Sequence, residues 1–387
     1  MLYIHIPYCR RKCLYCDFFS GGAHIADWTG LADALLAELQ ERIEELPERI
    51  ESIYIGGGTP SLMPPDVFGD FTSRLRQSVD AAGKTLVDDV EFTIEINPED
   101  VDDRHIEVWR EAGVNRVSIG IQTFDNRLLQ SIGRSHTGDM AEMALKRLKA
   151  EFENVSGDLI FGIPGQSVED LRRDVYRLID CGPEHVSVYS MMYEEGTALT
   201  ALRDAGRVEE ADDDTVARQY ECLTEILGAA GYEHYEISNY ARPGFRSRHN
   251  SGYWTGKPYL GIGPSAHSFD GVSVRRANPA DLRGYLGRFG NFRAGETSFF
   301  TEEQLNREER LEERIMLSLR RREGLNLKQL CHDFGREAER KVRQKAAGHL
   351  AAGNLIEEPG GIRLSRKGVM IADSVMVDLI SIANLSR

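Results

Sequence analysis

Apolar and polar residues follow two rhythms over about the first 240 positions of the chain. Short runs rich in β-branched residues predict strands at 2–6, 52–55, 91–96, 116–121, 157–161 and 185–189. Between them, apolar residues recur every three or four positions and predict helices at 28–46, 65–81, 104–112, 140–149, 168–179 and 212–230. Strands that alternate with helices predict a parallel sheet with right-handed crossovers. The expected fold is an α/β protein built on an incomplete (β/α)6 TIM-like barrel.

The rhythm changes after residue 240. Residues 241–301 are rich in Gly, Pro and aromatics, which predicts an extension of ordered loops with short strands. Residues 302–387 predict three helices and a hairpin, at 302–322, 327–334, 336–351 and 355–365. We therefore expect three domains: a barrel at 1–240, the extension at 241–301, and a small C-terminal winged-helix-like domain at 302–387.

Composition and charge narrow the class of protein. The 387 residues are 41% hydrophobic and 28% charged, a globular balance. Lys+Arg 47 against Asp+Glu 62 gives a net charge of −15, which argues against nucleic acid as a partner. From Arg310 onward the chain carries 15 Lys/Arg and 10 Asp/Glu, so a basic winged domain could contact nucleic acid. We favour the interpretation that this is a solvated face packed on the barrel.

The sequence shows neither a membrane span nor a targeting segment. No apolar run approaches the ~20 residues of a spanning helix. The apolar stretch near the C-terminus contains Asp373 and Asp378, as in an amphipathic helix. Met1 leads directly into the first predicted strand without a signal peptide. We expect a cytoplasmic protein with at most peripheral membrane contact.

Three of the six cysteines lie together, as Cys9, Cys13 and Cys16 in the spacing C-x3-C-x2-C after the first strand. Strand ends are where barrel active sites lie. Structural zinc usually takes four ligands, and a [4Fe–4S] cluster normally takes four cysteines. Three cysteines would leave one iron open, as a catalytic cluster requires. We favour iron–sulfur over zinc and expect the positive charge of Lys12 to favour thiolates.

At this motif the sequence resembles the radical SAM superfamily, in which an aromatic residue commonly precedes the third cysteine, as Tyr15 does here. The resemblance implies that the three cysteines ligate a [4Fe–4S] cluster. It also implies that S-adenosylmethionine (SAM) chelates the fourth iron through its amino and carboxylate groups. Such a cluster can split SAM to a 5′-deoxyadenosyl radical, hard chemistry that proteins delegate to cofactors.

Further motifs narrow the resemblance to the anaerobic coproporphyrinogen III oxidase-like branch. In chain order they are Gly56-Gly57-Gly58-Thr59-Pro60-Ser61, Glu95-Ile-Asn97-Pro98, the run 113–124, Gly133-Arg134-Ser-His136 and the run 158–165. The resemblance extends from Tyr3 to about Phe269. It implies a SAM site of eight residues: Tyr3, Gly57, Gly58, Thr59, Glu95, Gln122, Arg134 and Asp158.

Within that implied site the glycines would meet the amino group of SAM, and Glu95 would accept a hydrogen bond from SAM. Gln122 and Asp158 would hold the ribose hydroxyls, and Arg134 would pair with the carboxylate. Taken singly, a carboxylate at a strand end could equally cap a helix or form a salt bridge. The ordered set favours SAM.

Two departures separate the chain from the oxidases of this branch. Their cluster motif continues to a fourth cysteine, where this sequence has Phe18, and they carry an N-terminal extension, where only eight residues precede Cys9. Both departures resemble the sister group, the HemW-like haem chaperones. So does His249-Asn-Ser-Gly-Tyr253-Trp254, which matches the H-N-x-x-Y-W pattern in which the histidine is implicated in haem ligation. His267 is a weaker candidate.

Three functional hypotheses follow. The favoured one is a haem chaperone that binds a [4Fe–4S] cluster, SAM and haem, and delivers haem to client proteins such as respiratory enzymes. The alternative is an oxygen-independent coproporphyrinogen III oxidase, and the third is a zinc-stabilised module whose winged domain contacts nucleic acid. The sequence leaves open the client, a homodimer, the second haem ligand and whether SAM is cleaved.

Overall fold

The computed structural model describes residues 1–23, 26–290 and 299–380. Its strands are β1 (Leu2–Ile6), β2 (Tyr8–Cys9), β3 (Gly21–Gly22), β4 (Arg49–Gly57), β5 (Thr85–Ile96), β6 (Arg116–Gln122), β7 (Asn154–Phe161), β8 (His185–Ser190), β9 (Glu233–Glu236), β10 (Asn239–Ala241), β11 (Leu260–Ile262), β12 (His267–Phe269), β13 (Val274–Ala277), β14 (Thr301–Gln304), β15 (Leu325–Asn326), β16 (Leu355–Glu358) and β17 (Gly361–Leu364). Its helices are α1 (Trp28–Arg42), α2 (Pro65–Ala81), α3 (Asp103–Glu111), α4 (Asn126–Ser131), α5 (Gly138–Glu151), α6 (Val168–Cys181), α7 (Ala198–Asp204), α8 (Asp213–Ala229), α9 (Arg248–Trp254), α10 (Leu282–Tyr285), α11 (Arg307–Arg320), α12 (Leu327–Ala351), α13 (Arg366–Val369) and α14 (Ala372–Ile380).

A nine-stranded sheet forms the barrel, in the order β11-β1-β4-β5-β6-β7-β8-β10-β9. Its six central strands are parallel, as predicted. β11 adds a parallel strand beside β1, and β10 and β9 add an antiparallel edge beside β8. The two edge strands, β11 and β9, do not pair with each other in the described structure, so the sheet stays open. The prediction of an incomplete barrel is confirmed.

The sheet and its outer helices enclose one large hydrophobic core. Alternate residues of the strands face this core, as in β1, where Leu2, Ile4 and Ile6 are fully buried. The helix ends follow local rules. α6 begins with a capping box between Ser167 and Asp170 and ends at Gly182, whose φ of 71° is left-handed.

Part of the range 241–290 extends the barrel sheet rather than following it. β10 spans the predicted boundary at residue 240, and β11 joins the barrel sheet. The motif at 248–254, expected as loop, forms α9, which begins after the N-cap Ser247. Seven residues are too few to show a helical period in the sequence. α9 lies across the amino ends of the strands, since its residues contact Ser52 of β4 and Glu91 of β5.

The C-terminal domain has its own core, built from α11, α12, α14 and the sheet β15-β17-β16. The two helices predicted at 327–351 merge as α12 across a kink at Gly335, where φ is 86°. The first predicted helix begins later than expected, because 301–304 form β14 and Asn306 caps α11. Residues 291–298 and 381–387, which belong to the predicted extension and C-terminal domain, lie outside the described residues.

Basic side chains on the C-terminal domain largely face acidic neighbours. The ion pairs include Arg340–Glu337, Arg343–Glu339 and Arg363–Glu358. This pairing supports the interpretation of a solvated face over that of a nucleic-acid surface. Within the described ranges, no helix is both long enough and apolar enough to span a membrane.

Candidate functional site

A cavity of about 480 Å³ lies inside the barrel and opens at the carboxyl ends of its strands. This volume is in the range of small-molecule sites. Of the twelve residues predicted as ligands, ten line the cavity: Cys9, Cys13, Cys16, Gly57, Gly58, Thr59, Glu95, Gln122, Arg134 and Asp158. Tyr3 and His249 do not. Residues separated by up to 149 positions in the sequence therefore meet at one site.

Cys9 ends β2, and Cys13 and Cys16 lie in the loop that follows it, where all three line the cavity. The Thr59 hydroxyl donates to Cys9 Sγ at 3.4 Å, and Arg134 Nη1 donates to Cys13 Sγ at 3.6 Å. Within residues 1–23, 26–290 and 299–380, no three His, Cys, Asp or Glu side chains are arranged around one ion. Among the described residues, those that line the cavity include three cysteines and no fourth, which would leave one iron of a [4Fe–4S] cluster open, whereas structural zinc usually takes four ligands.

The surroundings of Cys16 act on its thiol in opposite directions. Burial raises the pKa of the Cys16 thiol to about 11, and Lys12 lowers it only as a lesser influence. The Lys12 ammonium instead donates to the Phe18 carbonyl oxygen at 3.0 Å. The nearby positive charge therefore does not make Cys16 a thiolate by itself. A metal that binds this sulfur must displace its proton.

Glu95 sits deep in the cavity at the end of β5. Its Oε1 accepts from the Tyr54 hydroxyl at 2.7 Å, and its Oε2 accepts from the Gly57 amide at 3.1 Å. Burial is the main cause that raises the pKa of Glu95 to about 7, and the neighbouring Asp158 also raises it. Glu95 is thus half-protonated near neutral pH, and its ionised form is available to a cationic ligand.

Asp158 lies opposite Glu95, on β7. Its carboxylate accepts hydrogen bonds from the hydroxyls of Ser118 at 3.0 Å and Ser156 at 3.0 Å. Burial raises the pKa of Asp158, and these hydroxyls together with Ser187 counteract the rise. An acceptor held in place by several hydroxyls is suited to bind the hydroxyls of a ligand.

Arg134 spans the wall between the cysteines and β6. Its Nη2 donates to Gly120 O at 2.5 Å and to Asn97 Oδ1 at 3.0 Å. Asn97 Nδ2 in turn approaches Thr59 Oγ1 at 3.5 Å. These contacts fix the guanidinium beside Cys13, so that its charge is directed toward the cysteine loop.

Gly57 and Gly58, at the end of β4, are required by packing inside the protein, because a side chain at either position would collide with its neighbours. A side chain at Gly58 would place its Cβ 2.6 Å from Tyr8 O and 2.8 Å from Ile6 O. Gly57 has a φ of 109°, and a Cβ there would lie 2.6 Å from the His5 ring. The Gly58 and Thr59 amides donate to strand ends at 2.7 Å. The loop is thus locked against β1.

Tyr3 lies behind the cavity wall. Its hydroxyl is 3.1 Å from His5 Nδ1, and its ring is 6.1 Å from that of Tyr54. His5 Nε2 is held by Phe19 O at 3.0 Å. A role for Tyr3 at the SAM site therefore stays a prediction that would act through its neighbours.

His249 is locked inside the barrel near the amino ends of the strands. Its side chain is buried, with Nδ1 2.9 Å from Ser52 Oγ and Nε2 2.9 Å from Tyr253 Oη. Burial lowers its pKa to about 3, so the ring is neutral. Trp254 of the same motif packs under the Arg320 guanidinium, 4.4 Å from its ring centre. In this conformation neither ring nitrogen is free to bind iron.

Several cavity residues escaped the sequence analysis. Along β6 the alternate residues Arg116, Ser118, Gly120 and Gln122 all line the cavity, as the period of two in a strand allows. That period, applied to the predicted strand, could have found Arg116. The mouth of the cavity carries the exposed side chain of Phe18, at the position of the missing fourth cysteine, and that of Met192, which no motif indicated.

Comparison with known proteins matches this architecture. Residues 3–177 match the family model for the radical SAM superfamily, and residues 305–371 match the model for the HemN C-terminal domain. The chain is 33% identical to "Heme chaperone HemW" of Lactococcus lactis, over 96% of this chain and 95% of that one. It is 34% identical to a protein of the same name from Mycobacterium tuberculosis, over 98% and 94%. The chain belongs to the HemW family.

A solved structure shows the same fold. Coproporphyrinogen III oxidase (HemN) from Escherichia coli superposes with a TM-score of 0.83 at 19% identity, covering 98% of this chain and 89% of that one. As a HemW family member with a radical SAM domain, the protein uses a [4Fe–4S] cluster and SAM. The cavity fits both, because it joins three cysteines to buried carboxylates and an arginine.

Proposed function

We propose that this HemW family member is a haem chaperone, which binds haem and delivers it to client proteins such as respiratory enzymes. The observation that carries the proposal is the near full-length similarity, at 30–34% identity, to several proteins named heme chaperone HemW. We place it in the cytoplasm, since none of the six cysteines, all of which lie within the described residues, forms a disulfide, as is typical of a reducing compartment.

We assign the SAM site to the cavity. Cys9, Cys13 and Cys16 hold the cluster, which when bound supplies an open iron and an electron. Arg134, fixed beside Cys13, attracts a carboxylate on the same side. The remaining assignments are that Glu95 accepts from the amino group and Asp158 from ribose hydroxyls, both from buried positions.

We assign haem ligation to His249, on the strength of its H-N-x-x-Y-W motif. A neutral imidazole is the form that binds haem iron, and burial keeps His249 neutral. Its Nε2 is engaged by the Tyr253 hydroxyl, so coordination requires this hydrogen bond to break and α9 to open. Haem binding is thereby coupled to a rearrangement at the amino ends of the strands.

A second candidate function is oxygen-independent coproporphyrinogen III oxidation. The fold similarity to the E. coli oxidase favours it, although at 19% identity that similarity concerns the fold alone. Against it, Phe18 stands where the oxidases carry a fourth cysteine, and it is 61% exposed at the cavity mouth. Titration of the cluster-loaded protein with haem, alongside product analysis with coproporphyrinogen III, separates the two functions.

A further inference from the structure

The cavity floor holds an arginine without a partner. Arg116 begins β6, its side chain is 1% exposed, and it lines the cavity below Glu95 and Asp158. Its Nε has no hydrogen-bond partner, and within the described ranges no carboxylate oxygen lies within 4.0 Å of its guanidinium. Arg134 is different, since its donors bind Gly120 O and Asn97. Arg116 is therefore not held there by local bonding.

A buried charge that lacks a direct partner is costly, so the surrounding field must compensate for it. Six buried titratable groups lie near enough to interact electrostatically with Arg116, one on each surrounding element: Tyr54 on β4, Glu95 on β5, Asp158 on β7, His185 on β8, Tyr235 on β9 and His249 on α9. Tyr3, Tyr189 and Tyr253 also face Glu95. Glu95 and Asp158 are the two carboxylates in this set.

The two histidines of the set do not supply positive charge. Burial lowers the pKa of His185 well below its usual value and that of His249 to about 3. His185 is moreover held between Ser156 Oγ at 2.8 Å and Tyr235 Oη at 2.8 Å. Arg116 is thus the permanent cation of this group, because a guanidinium keeps its charge when buried.

We propose that Arg116 is a positioning residue of the SAM site, whose fixed charge favours the ionised forms of Glu95 and Asp158, the forms that accept hydrogen bonds from SAM. The inference rests on the proposed SAM site and adds a residue that no motif assigned to it. Arg116 lowers the pKa of both carboxyls, while their mutual repulsion and burial raise the pKa of Glu95.

The test compares wild type with Arg116→Gln as anaerobically reconstituted, cluster-loaded proteins. SAM dissociation constants are measured from pH 6 to pH 9. In the wild type, binding should strengthen as the pH rises through about 7, the pKa of Glu95. In Arg116→Gln the midpoint should move up by about one unit, which weakens SAM binding by roughly fivefold at pH 7. At pH 9 the difference should shrink.

Two variants control for structural effects. Arg110→Gln removes an exposed arginine that pairs with Glu151 outside the cavity, and it should leave the midpoint unchanged. Arg116→Lys keeps the positive charge at this position, and it should hold a midpoint near wild type. A glutamine variant with the wild-type midpoint, or a lysine variant with a midpoint raised by a full unit, would overturn the assignment. Wild type that does not bind SAM would instead overturn the SAM site itself.

Discussion

The buried carboxyl of Glu95, a proposed SAM ligand, lowers the stability of the folded protein when it is ionised. Its pKa is raised from 4.5 to about 7 in the fold, so the folded protein holds this proton more tightly than the unfolded chain. Stability attributable to Glu95 is therefore greatest at low pH and is lost as the pH rises from about 4.5 through 7. Ionising this buried carboxyl costs on the order of 3 kcal/mol above pH 7. In the proposed SAM site the protein tolerates that cost because the ionised carboxylate accepts a hydrogen bond from SAM.

The first prediction concerns Glu95→Gln, which removes the buried charge. At pH 8 the apo variant should be more stable than wild type by roughly 1–2 kcal/mol, seen as a higher Tm. At pH 8 its affinity for SAM should fall at least tenfold, since a charge-assisted hydrogen bond is lost. At pH 5 the gain in Tm should vanish. A variant less stable than wild type at pH 8 would show that Glu95 is not strained by burial.

A second prediction concerns haem binding after removal of the hydrogen bond between Tyr253 and His249. If His249 binds iron, this bond must first break, at a cost of about 1 kcal/mol. Tyr253→Phe removes the cost and should tighten haem binding by roughly fivefold, measured by absorbance titration. His249→Ala should weaken binding, and His332→Ala in the C-terminal domain should change nothing. Tighter binding in Tyr253→Phe that persists without His249 would exclude this histidine as the ligand.

The cysteines beside the cavity differ from the cysteine on an outer helix in their expected role in cluster binding. Cys9, Cys13 and Cys16 line the cavity, whereas Cys181 is buried at the end of α6 on the outer layer. Replacing any of the first three by Ala should abolish a [4Fe–4S] cluster, measured as iron and acid-labile sulfide after anaerobic reconstitution. Cys181→Ala should retain the full cluster. Stoichiometric zinc without sulfide in the wild type would contradict the assignment.

The central strands were predictable because their buried apolar runs are long and bounded by helices. Residues 2–6 and the helix Pro65–Ala81 were predicted with the bounds that the structure has. The added strands β9, β10 and β11 were not, because three or four residues carry too little pattern and gain their structure by pairing with longer strands. α9 was missed for the same reason, since its start depends on Glu91, more than 150 residues earlier.

Some residues of the candidate site could likewise be predicted from the sequence, and others could not. Glu95, near the end of one predicted strand, and Asp158, within another, could be placed together from the parallel topology and the resemblance. The engagement of His249 could not, because it depends on Ser52 and on the orientation of a short helix that tertiary contacts create. Arg116 was accessible to a period-of-two argument along β6, but no motif singled it out.

At the scale of the whole molecule, the barrel joins a deep, polar cavity to an exposed apolar mouth, and the C-terminal domain packs on α9. Arg320 of α11 covers Trp254 of α9, and Arg246 pairs with Glu323 at 2.7 Å. The domain is therefore connected to the element that carries His249. Opening of α9 for haem should disturb this contact, so we expect haem to increase hydrogen exchange in both 248–254 and 318–324.

The central claim is that this fold carries haem rather than oxidising its precursor. The most direct measurement is a paired assay of one anaerobic preparation with its cluster intact: haem titration followed by absorbance, and incubation with coproporphyrinogen III, SAM and reductant followed by product analysis. A haem chaperone should bind one equivalent of haem and form no protoporphyrinogen. Conversion of coproporphyrinogen III to protoporphyrinogen, together with no saturable haem binding, would contradict the account.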